Sequence, residues 1–161
     1  MPAIKEKKVL VSLLQRMYWI ESEMEQLGTW EARIEMMHEN LEALEILSHD
    51  SDLHGSIVEK WLIKANIEIP KTVPKGLPTH IFNFEGLSAP EMFISIRKYE
   101  ILAMNAYKDM MNAEPSVIEE LLPDPIDRKE FINDLQKLIR DEEKHATICN
   151  KQALGFAKVM Y

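Results

Sequence analysis

The sequence predicts an all-α fold: one domain over residues 1–161, in which four long helices form two antiparallel pairs joined by a long crossover. Three observations predict it. Apolar residues recur at three- and four-residue steps along most of the chain, which is the period of an amphipathic helix. A glycine follows the first apolar stripe closely enough to make a helix hairpin. A stretch of about twenty residues rich in proline and glycine then divides the helical segments into two pairs.

The first hairpin is predicted from residues 4–27 and about 30–48. A stripe of leucine, isoleucine and methionine marks the first helix, and Gly28 ends it. Thr29 is placed to cap the second helix. Because the connection is very short, we expect the two helices to be antiparallel neighbours.

The second helix is predicted to break at a polar segment, residues 48–52, before a further helix over about 53–66. An unbroken helix over 30–66 is the alternative, but at about 1.5 Å per residue it would overshoot its partners. The segment and its neighbours include several residue types that bind metals, namely His49, Asp50, Asp52 and His54. We interpret these residues as a polar turn rather than as a second metal site.

The crossover is predicted over about residues 67–88, which contain three prolines and two glycines. About twenty extended residues, at about 3 Å each, cross the length of a helix bundle, which would place the third helix parallel to the second. Ser88 and Glu91 have the spacing of a capping box, with Pro90 in the first turn. These residues predict the start of a third helix over about 89–113.

The last helix is predicted over about residues 127–155. Pro115 ends the third helix, and a short turn follows before the next start signal. Asp127 and Glu130 have the spacing of a second capping box at that start. No strand pattern is present.

Charged residues interrupt the apolar stripes of all four long helices. The acids concerned are Glu21, Glu35, Glu100 and Glu142. Burying an unpaired carboxylate is costly, so such a group is normally paired, protonated or bound to a metal. Two Glu-x-x-His motifs contain two of these acids, Glu35 with His38 and Glu142 with His145. This spacing puts the acid and the imidazole of each motif on one helical face.

The four acids also match in depth. If the first hairpin turns at Gly28, Glu21 and Glu35 are each seven residues from the turn, by 28 − 21 and 35 − 28. Both would then lie about 10 Å from that end of the bundle, and Glu100 and Glu142 reach a comparable depth. Two divalent irons about 3.5–4 Å apart need carboxylate ligands, and one imidazole per metal leaves positions open for dioxygen or peroxide. The sequence therefore predicts a dinuclear metal site.

In these residues the chain resembles the ferritin-like superfamily of dimetal-carboxylate proteins, most closely its rubrerythrin-like branch. The resemblance implies a ferritin-like four-helix bundle that binds two iron ions, or alternatively manganese or a mixed iron–manganese pair. The metal ligands that it implies are Glu21, Glu35, His38, Glu100, Glu142 and His145. Glu35 and Glu142 would bridge the metals and take part in catalysis.

The function implied by the resemblance is an oxidoreductase that reacts with dioxygen or peroxide and receives electrons from a donor that the sequence does not identify. We expect a homodimer or a higher homo-oligomer. The alternatives within this chemistry are a ferroxidase for iron storage and a manganese catalase-like enzyme. A rival of another class is a non-catalytic, metal-binding structural bundle.

Two further residues lie next to the predicted ligands. Tyr107 is two turns beyond Glu100 on the same face of the third helix. It is a candidate catalytic redox tyrosine, although a core tyrosine with a hydrogen-bonded hydroxyl is the favoured interpretation. Cys149 follows His145 by one turn and is interpreted as a small core residue.

Composition excludes several classes of partner. The formal net charge of −8 argues against nucleic acid or an anionic membrane surface. Cys149 is the only cysteine, so neither an intrachain disulfide nor a four-cysteine metal module can form, and a reducing compartment is indicated. No stretch approaches the roughly 20 apolar residues that span a membrane, and no signal peptide pattern is present. We expect a soluble cytoplasmic protein.

Overall fold

The described part of the chain is entirely helical. The computed structural model describes residues 3–25, 38–78, 84 and 87–160, with 38–39 and 155–160 described as backbone only. Within these ranges there are five helices and no strand, which confirms the prediction of an all-α fold. The helices are α1 (Lys7–Glu25), α2 (His38–Lys64), α3 (Ala89–Met111), α4 (Pro115–Leu121) and α5 (Pro125–Met160).

The four long helices make two close pairs, α1 with α2 and α3 with α5, and the pairs meet where α2 contacts α5 and α1 contacts α3. Helix α1 is antiparallel to α2, since the Ser48 hydroxyl donates to the Glu25 carbonyl while Gly55 lies against Glu21, one turn earlier in α1. Gly55 therefore faces α1 at the level of Glu21.

Helices α2 and α5 are also antiparallel. The Asn40 side-chain amide donates to Gln152 near one end of the contact, and Lys64 donates to Asp127 near the other. Between them, the Trp61 indole N–H donates to Asp134 at 2.9 Å, which fixes the register of the two helices. An edge-to-face contact between Trp61 and Phe131, with ring centroids 5.2 Å apart, fills the core at this level.

Helix α1 runs antiparallel to α3 as well. The Glu114 amide, just after α3, donates to the Ile4 carbonyl, and the Tyr107 hydroxyl donates to Glu21 near the other end of α1. Because α1 opposes both α2 and α3, those two helices point the same way. The segment that follows α2 lies along α1, where Arg16 Nε donates to the Lys75 carbonyl.

Helix α2 is continuous through residues 48–52, so the predicted break is wrong and the alternative of an unbroken helix describes this part of the chain. The segment holds no proline or glycine that would end a helix. Its polar side chains instead serve tertiary contacts: Ser51 and His54 are each 1 % exposed and lie on the face that carries Leu47 and Val58 into the core. The buried polar residues of this segment, Ser51 and His54, therefore indicate a polar site inside the protein and not a turn.

The register of the first hairpin also differs from the prediction. A turn at Gly28 would place Glu25 beside residue 31, whereas Glu25 accepts a hydrogen bond from Ser48. Gly28, Thr29 and Glu35 lie outside the described residues. The prediction took the first glycine after an apolar stripe as the turn, and nothing in the local sequence fixed the pairing of the two helices.

Of the two helix starts predicted from capping boxes, the structure confirms one. Ser88 caps α3 and Glu91 bonds back to it, so the predicted capping box is confirmed. Helix α5 begins earlier than predicted, at Pro125, where the Asp124 carboxylate accepts from the Ile126 amide. The capping box predicted at Asp127 is therefore wrong. Asp124, three residues upstream, accepts the capping hydrogen bond, and Pro125 is the first residue of the helix. In the described part of the chain, none of the helices is long and apolar enough to cross a membrane.

Continuity of α2 can be tested at His49, an exposed residue in the middle of the helix. We expect His49→Pro to lower the free energy of unfolding by about 3 kcal/mol or more, because proline removes a helical hydrogen bond and clashes with the preceding turn. His49→Ala is the control and should change stability little. Urea denaturation of both variants measures the difference; a proline tolerated like alanine would place a turn there after all.

Candidate metal centre

Among the described residues, three glutamates and two histidines are buried together between the four long helices, each at most 2 % exposed. They are Glu21 of α1, His54 of α2, Glu100 of α3, and Glu142 and His145 of α5. We refer to these five residues as the acid–histidine cluster. Helical spacing of three residues puts both α5 members on one face.

His54 faces carboxylates with both ring nitrogens. Its Nδ1 atom lies 2.9 Å from Oε1 of Glu142 and 3.6 Å from Oε1 of Glu21. Its Nε2 atom lies 3.0 Å from Oδ2 of Asp141, the residue just before Glu142. The imidazole of α2 is thus held from α5 on one side and meets two buried acids on the other.

His145 has the same surroundings in mirrored form. Its Nδ1 atom lies 3.2 Å from Oε2 of Glu100 and 3.8 Å from Oε2 of Glu142. Its Nε2 atom lies 2.8 Å from Oδ2 of Asp50 on α2. The imidazole of α5 is therefore held from α2, as that of α2 is held from α5.

The two imidazoles and Glu142 form the centre of the cluster. The rings of His54 and His145 stack with centroids 5.5 Å apart, and Glu142 presents Oε1 to one Nδ1 atom and Oε2 to the other. Each Nε2–H donates to an aspartate, so each Nδ1 atom is the nitrogen left to bind a metal. Histidines that bind metals commonly donate their other N–H to a carboxylate in this way.

The donor set fits a metal ion. Ligand atoms of His54, Glu142 and His145 lie within 4.8 Å of one another, so these three residues could hold one. Imidazole nitrogen and carboxylate oxygen together suit iron, manganese and zinc. In addition, Oε1 of Glu100 is buried without a hydrogen-bond partner. Buried carboxylate oxygens are rarely left unpaired, and a cation would satisfy this one.

Without metal, the cluster is held by charge. Burial lowers the pKa of His54, but its hydrogen bonds to Glu142 and Glu21 raise it more, to about 11. Burial likewise lowers the pKa of His145, and the bonds to Glu100 and Glu142 bring it to about 11. Burial and the adjacent Glu142 raise the pKa of Glu100 well above its usual range. In the metal-free chain, two imidazolium cations thus face the buried acids.

Tyr107 and Cys149 border the cluster without joining its centre. The Tyr107 hydroxyl is fully buried and donates to Oε1 of Glu21 at 3.0 Å. Burial and Glu21 raise the pKa of Tyr107, so it stays a neutral donor that orients Glu21. Burial, with Glu100 and Glu142 nearby, also raises the pKa of Cys149, which keeps a buried thiol protonated. Its role is packing.

The structure brings four of the six predicted metal ligands into the cluster. They are Glu21, Glu100, Glu142 and His145. Glu35 lies outside the described residues, as does the side chain of His38. The backbone of His38 begins α2, sixteen residues before His54 and therefore about 24 Å away along the helix. The α2 imidazole of the cluster is His54.

Three residues of the site were missed from the sequence: His54 and the aspartates that orient the imidazoles, Asp50 and Asp141. The interpretation of Asp50 and His54 as a polar turn is wrong, because both face α5. The sequence did contain a signal for these residues. Residues 50–54 and 141–145 share the pattern Asp-x-x-x-His. In the structure, the aspartate of each segment contacts the histidine of the other.

Comparisons of the chain with known protein families, curated proteins and solved structures found no match.

The raised imidazole pKa values predict how metal-free stability depends on pH. A histidine whose pKa rises from 6.5 to about 11 on folding adds stability that is complete below about pH 6.5 and lost as the pH rises through about 11. In chelator, we expect the free energy of unfolding to fall between about pH 7 and 10, by roughly 1 kcal/mol per pH unit for each imidazole. Urea unfolding across this range measures the slope.

The control for this slope is His54→Gln, which keeps a polar side chain but cannot titrate. It should remove about half of the decline that the two imidazoles produce. A slope that is flat in the parent chain, or unchanged in the variant, contradicts the charge balance described for the metal-free cluster.

Proposed function

We propose that the chain is a dimetal-carboxylate oxidoreductase of the ferritin-like type, most similar to the rubrerythrin branch, in which two iron or manganese ions react with dioxygen or peroxide. The observation that carries the proposal is Glu142. Its two oxygens lie beside the Nδ1 atoms of two different imidazoles, whose far nitrogens are held by aspartates. This arrangement supports a role for Glu142 as a carboxylate that two metal ions would share.

The helix arrangement supports the proposal. Two antiparallel pairs, with α2 and α3 pointing the same way, are the topology expected of a ferritin-like four-helix bundle. Each long helix contributes to the acid–histidine cluster from its inward face. Such bundles build metal sites from side chains on facing helices, because the helices hold the ligands rigidly.

The ligands divide into two similar sets. Glu21 and His54 would hold one ion, Glu100 and His145 the other, and Glu142 would contribute one oxygen to each. When bound, two divalent ions would supply the electrons for reducing dioxygen or peroxide, and an external electron donor would return the oxidised ions to the divalent state. The oxygen- and imidazole-rich set favours iron or manganese, and three ligand groups per ion leave room for a small substrate.

The remaining residues position these ligands and exclude water. Asp50 and Asp141 keep each imidazole in the tautomer whose Nδ1 atom is free to bind a metal. Tyr107 donates to Glu21 and holds its carboxylate towards His54. Near-complete burial keeps bulk water from the cluster, which strengthens electrostatic interactions within it. Tyr107 acts here through Glu21.

A structural bundle without catalysis is the competing function. One observation favours it: the imidazolium–carboxylate pairs satisfy each other without any metal. The unpartnered oxygen of Glu100 favours metal binding instead. The two functions differ in what the chain does with Fe(II).

The deciding experiment loads the chain with Fe(II) without oxygen, counts metals per chain, and then measures dioxygen and peroxide consumption. We expect two irons per chain and consumption at least tenfold faster than by the same Fe(II) in buffer. Peroxide dismutation by the Mn(II) form would point to catalase-like chemistry, and large hollow assemblies that retain ferric iron would point to storage. A chain that binds no metal is a structural bundle.

Glu142→Gln tests the shared ligand directly. Loss of the charge and of one oxygen should weaken metal binding by more than about 100-fold, since even residues that only support metal ligands cost 10–100-fold. Glu143→Gln is the matched control: the side chain is adjacent and exposed, so metal affinity should stay the same and stability should change by less than about 0.5 kcal/mol. Equal metal affinity in both variants, measured by calorimetry, would remove Glu142 from the site.

A further inference from the structure

The acid–histidine cluster consists of two halves whose hydrogen bonding differs. The Glu100 half contains Glu100 and His145, the Glu21 half contains Glu21 and His54, and Glu142 lies between them. The two halves offer the same types of ligand, so a difference in how they bind an ion has to come from the groups around those ligands. Such neighbours change metal affinity by about 10–100-fold.

The first difference lies on the outer side of the imidazoles. Asp141, which accepts from Nε2 of His54, also accepts from Nζ of Lys137 at 2.8 Å, through the same oxygen atom, Oδ2. Asp50 accepts from Nε2 of His145, and in the described part of the chain no lysine or arginine is bonded to it. A carboxylate bonded to the far N–H of an imidazole makes that imidazole a better metal ligand. A lysine on the same oxygen reduces this effect, because it withdraws negative charge.

The second difference lies on the glutamates. Oε1 of Glu21 faces His54 at 3.6 Å and already accepts from the Tyr107 hydroxyl at 3.0 Å. Glu100 faces His145 with Oε2 at 3.2 Å and leaves its Oε1 atom buried without a hydrogen-bond partner. Glu100 therefore has a whole oxygen atom to offer an ion, whereas the oxygen of Glu21 that faces the imidazole is shared with a hydroxyl donor.

The charges of the two halves differ in the same direction. The Glu100 half and its Asp50 carry −2 when ionised, by −1 − 1. The Glu21 half and its Asp141 carry −2 as well, but Lys137 brings this to −1, by −1 − 1 + 1. A divalent ion is attracted more strongly to the more negative half, and solvent around the lysine screens only part of the difference.

We infer that the two ion sites are unequal: the Glu100 half binds the first ion, the Glu21 half binds the second more weakly, and Lys137, acting through Asp141, causes part of the difference. The inference rests on the proposed function, since both halves have to bind an ion. It deepens that function in one respect. Sites of unequal affinity fill in sequence and can take different metals, so the chain is suited to a mixed pair as well as to two like ions.

The test titrates the metal-free full chain with Co(II), followed by calorimetry and by the visible spectrum of the bound ion. We expect two binding events whose dissociation constants differ by at least about tenfold. His54→Gln should abolish the weaker event and keep the stronger one, whereas His145→Gln should abolish the stronger one. Equal affinities in the parent chain, or loss of the stronger event in His54→Gln, would overturn the inference and leave the proposed function standing. If the parent chain binds no metal, both fall.

Lys137 allows a second test that leaves the buried cluster intact, since its side chain is 49 % exposed. Lys137→Met removes the cation from Asp141, so it should tighten the weaker event about threefold and leave the stronger one unchanged. Lys137→Arg keeps the cation and should bind as the parent does. Lys144→Met, at another exposed lysine of α5, is the control for net charge and should leave the ratio of the two affinities unchanged. An unchanged ratio in Lys137→Met contradicts the inference even if the histidine variants fail to fold.

Discussion

The structure depends most on the crossed bonds between two histidines and two aspartates on facing helices. His54 of α2 is held by Asp141 of α5, and His145 of α5 is held by Asp50 of α2. Neither helix can orient its own imidazole, because the orienting carboxylate lies on the other. The bonds also set the register, since a slip of one residue along α5 would part both pairs at once. Polar groups buried in this way specify one packing of two helices among many apolar alternatives.

Much of the fold follows from local sequence. Amphipathic stripes identify the long helices, and Ser88 with Glu91 fixes the start of α3, because capping is a contact between residues three apart. The acids of the cluster were also predictable one helix at a time. Glu21, Glu100 and Glu142 stand out because each lies within an apolar stripe, where an uncompensated charge is costly.

What the sequence could not supply is the pairing between helices. His54 lies in a run of serine, histidine and aspartate that resembles a turn when read locally, and only its contact with α5 explains why its imidazole is buried. His54 was missed as a member of the cluster for the same reason that the hairpin register was wrong. Both errors come from taking Gly28 as the origin, whereas the contact of Glu25 with Ser48 is tertiary. The Asp-x-x-x-His repeat carried the missing information, but a repeat indicates proximity only once the helices are known to face each other.

Gly55, next to His54, bears on how wide the centre can be. A β-carbon built at this position would lie 3.8 Å from Cβ of Glu21, which is ordinary contact, so alanine would fit and a longer side chain would push α1 outwards. The absence of a side chain at Gly55 thus lets α1 pack against α2 next to Glu21 and His54. If the proposed metal function holds, a larger side chain at Gly55 would change the ionic radius that the cluster accepts although none of the ligand residues is substituted.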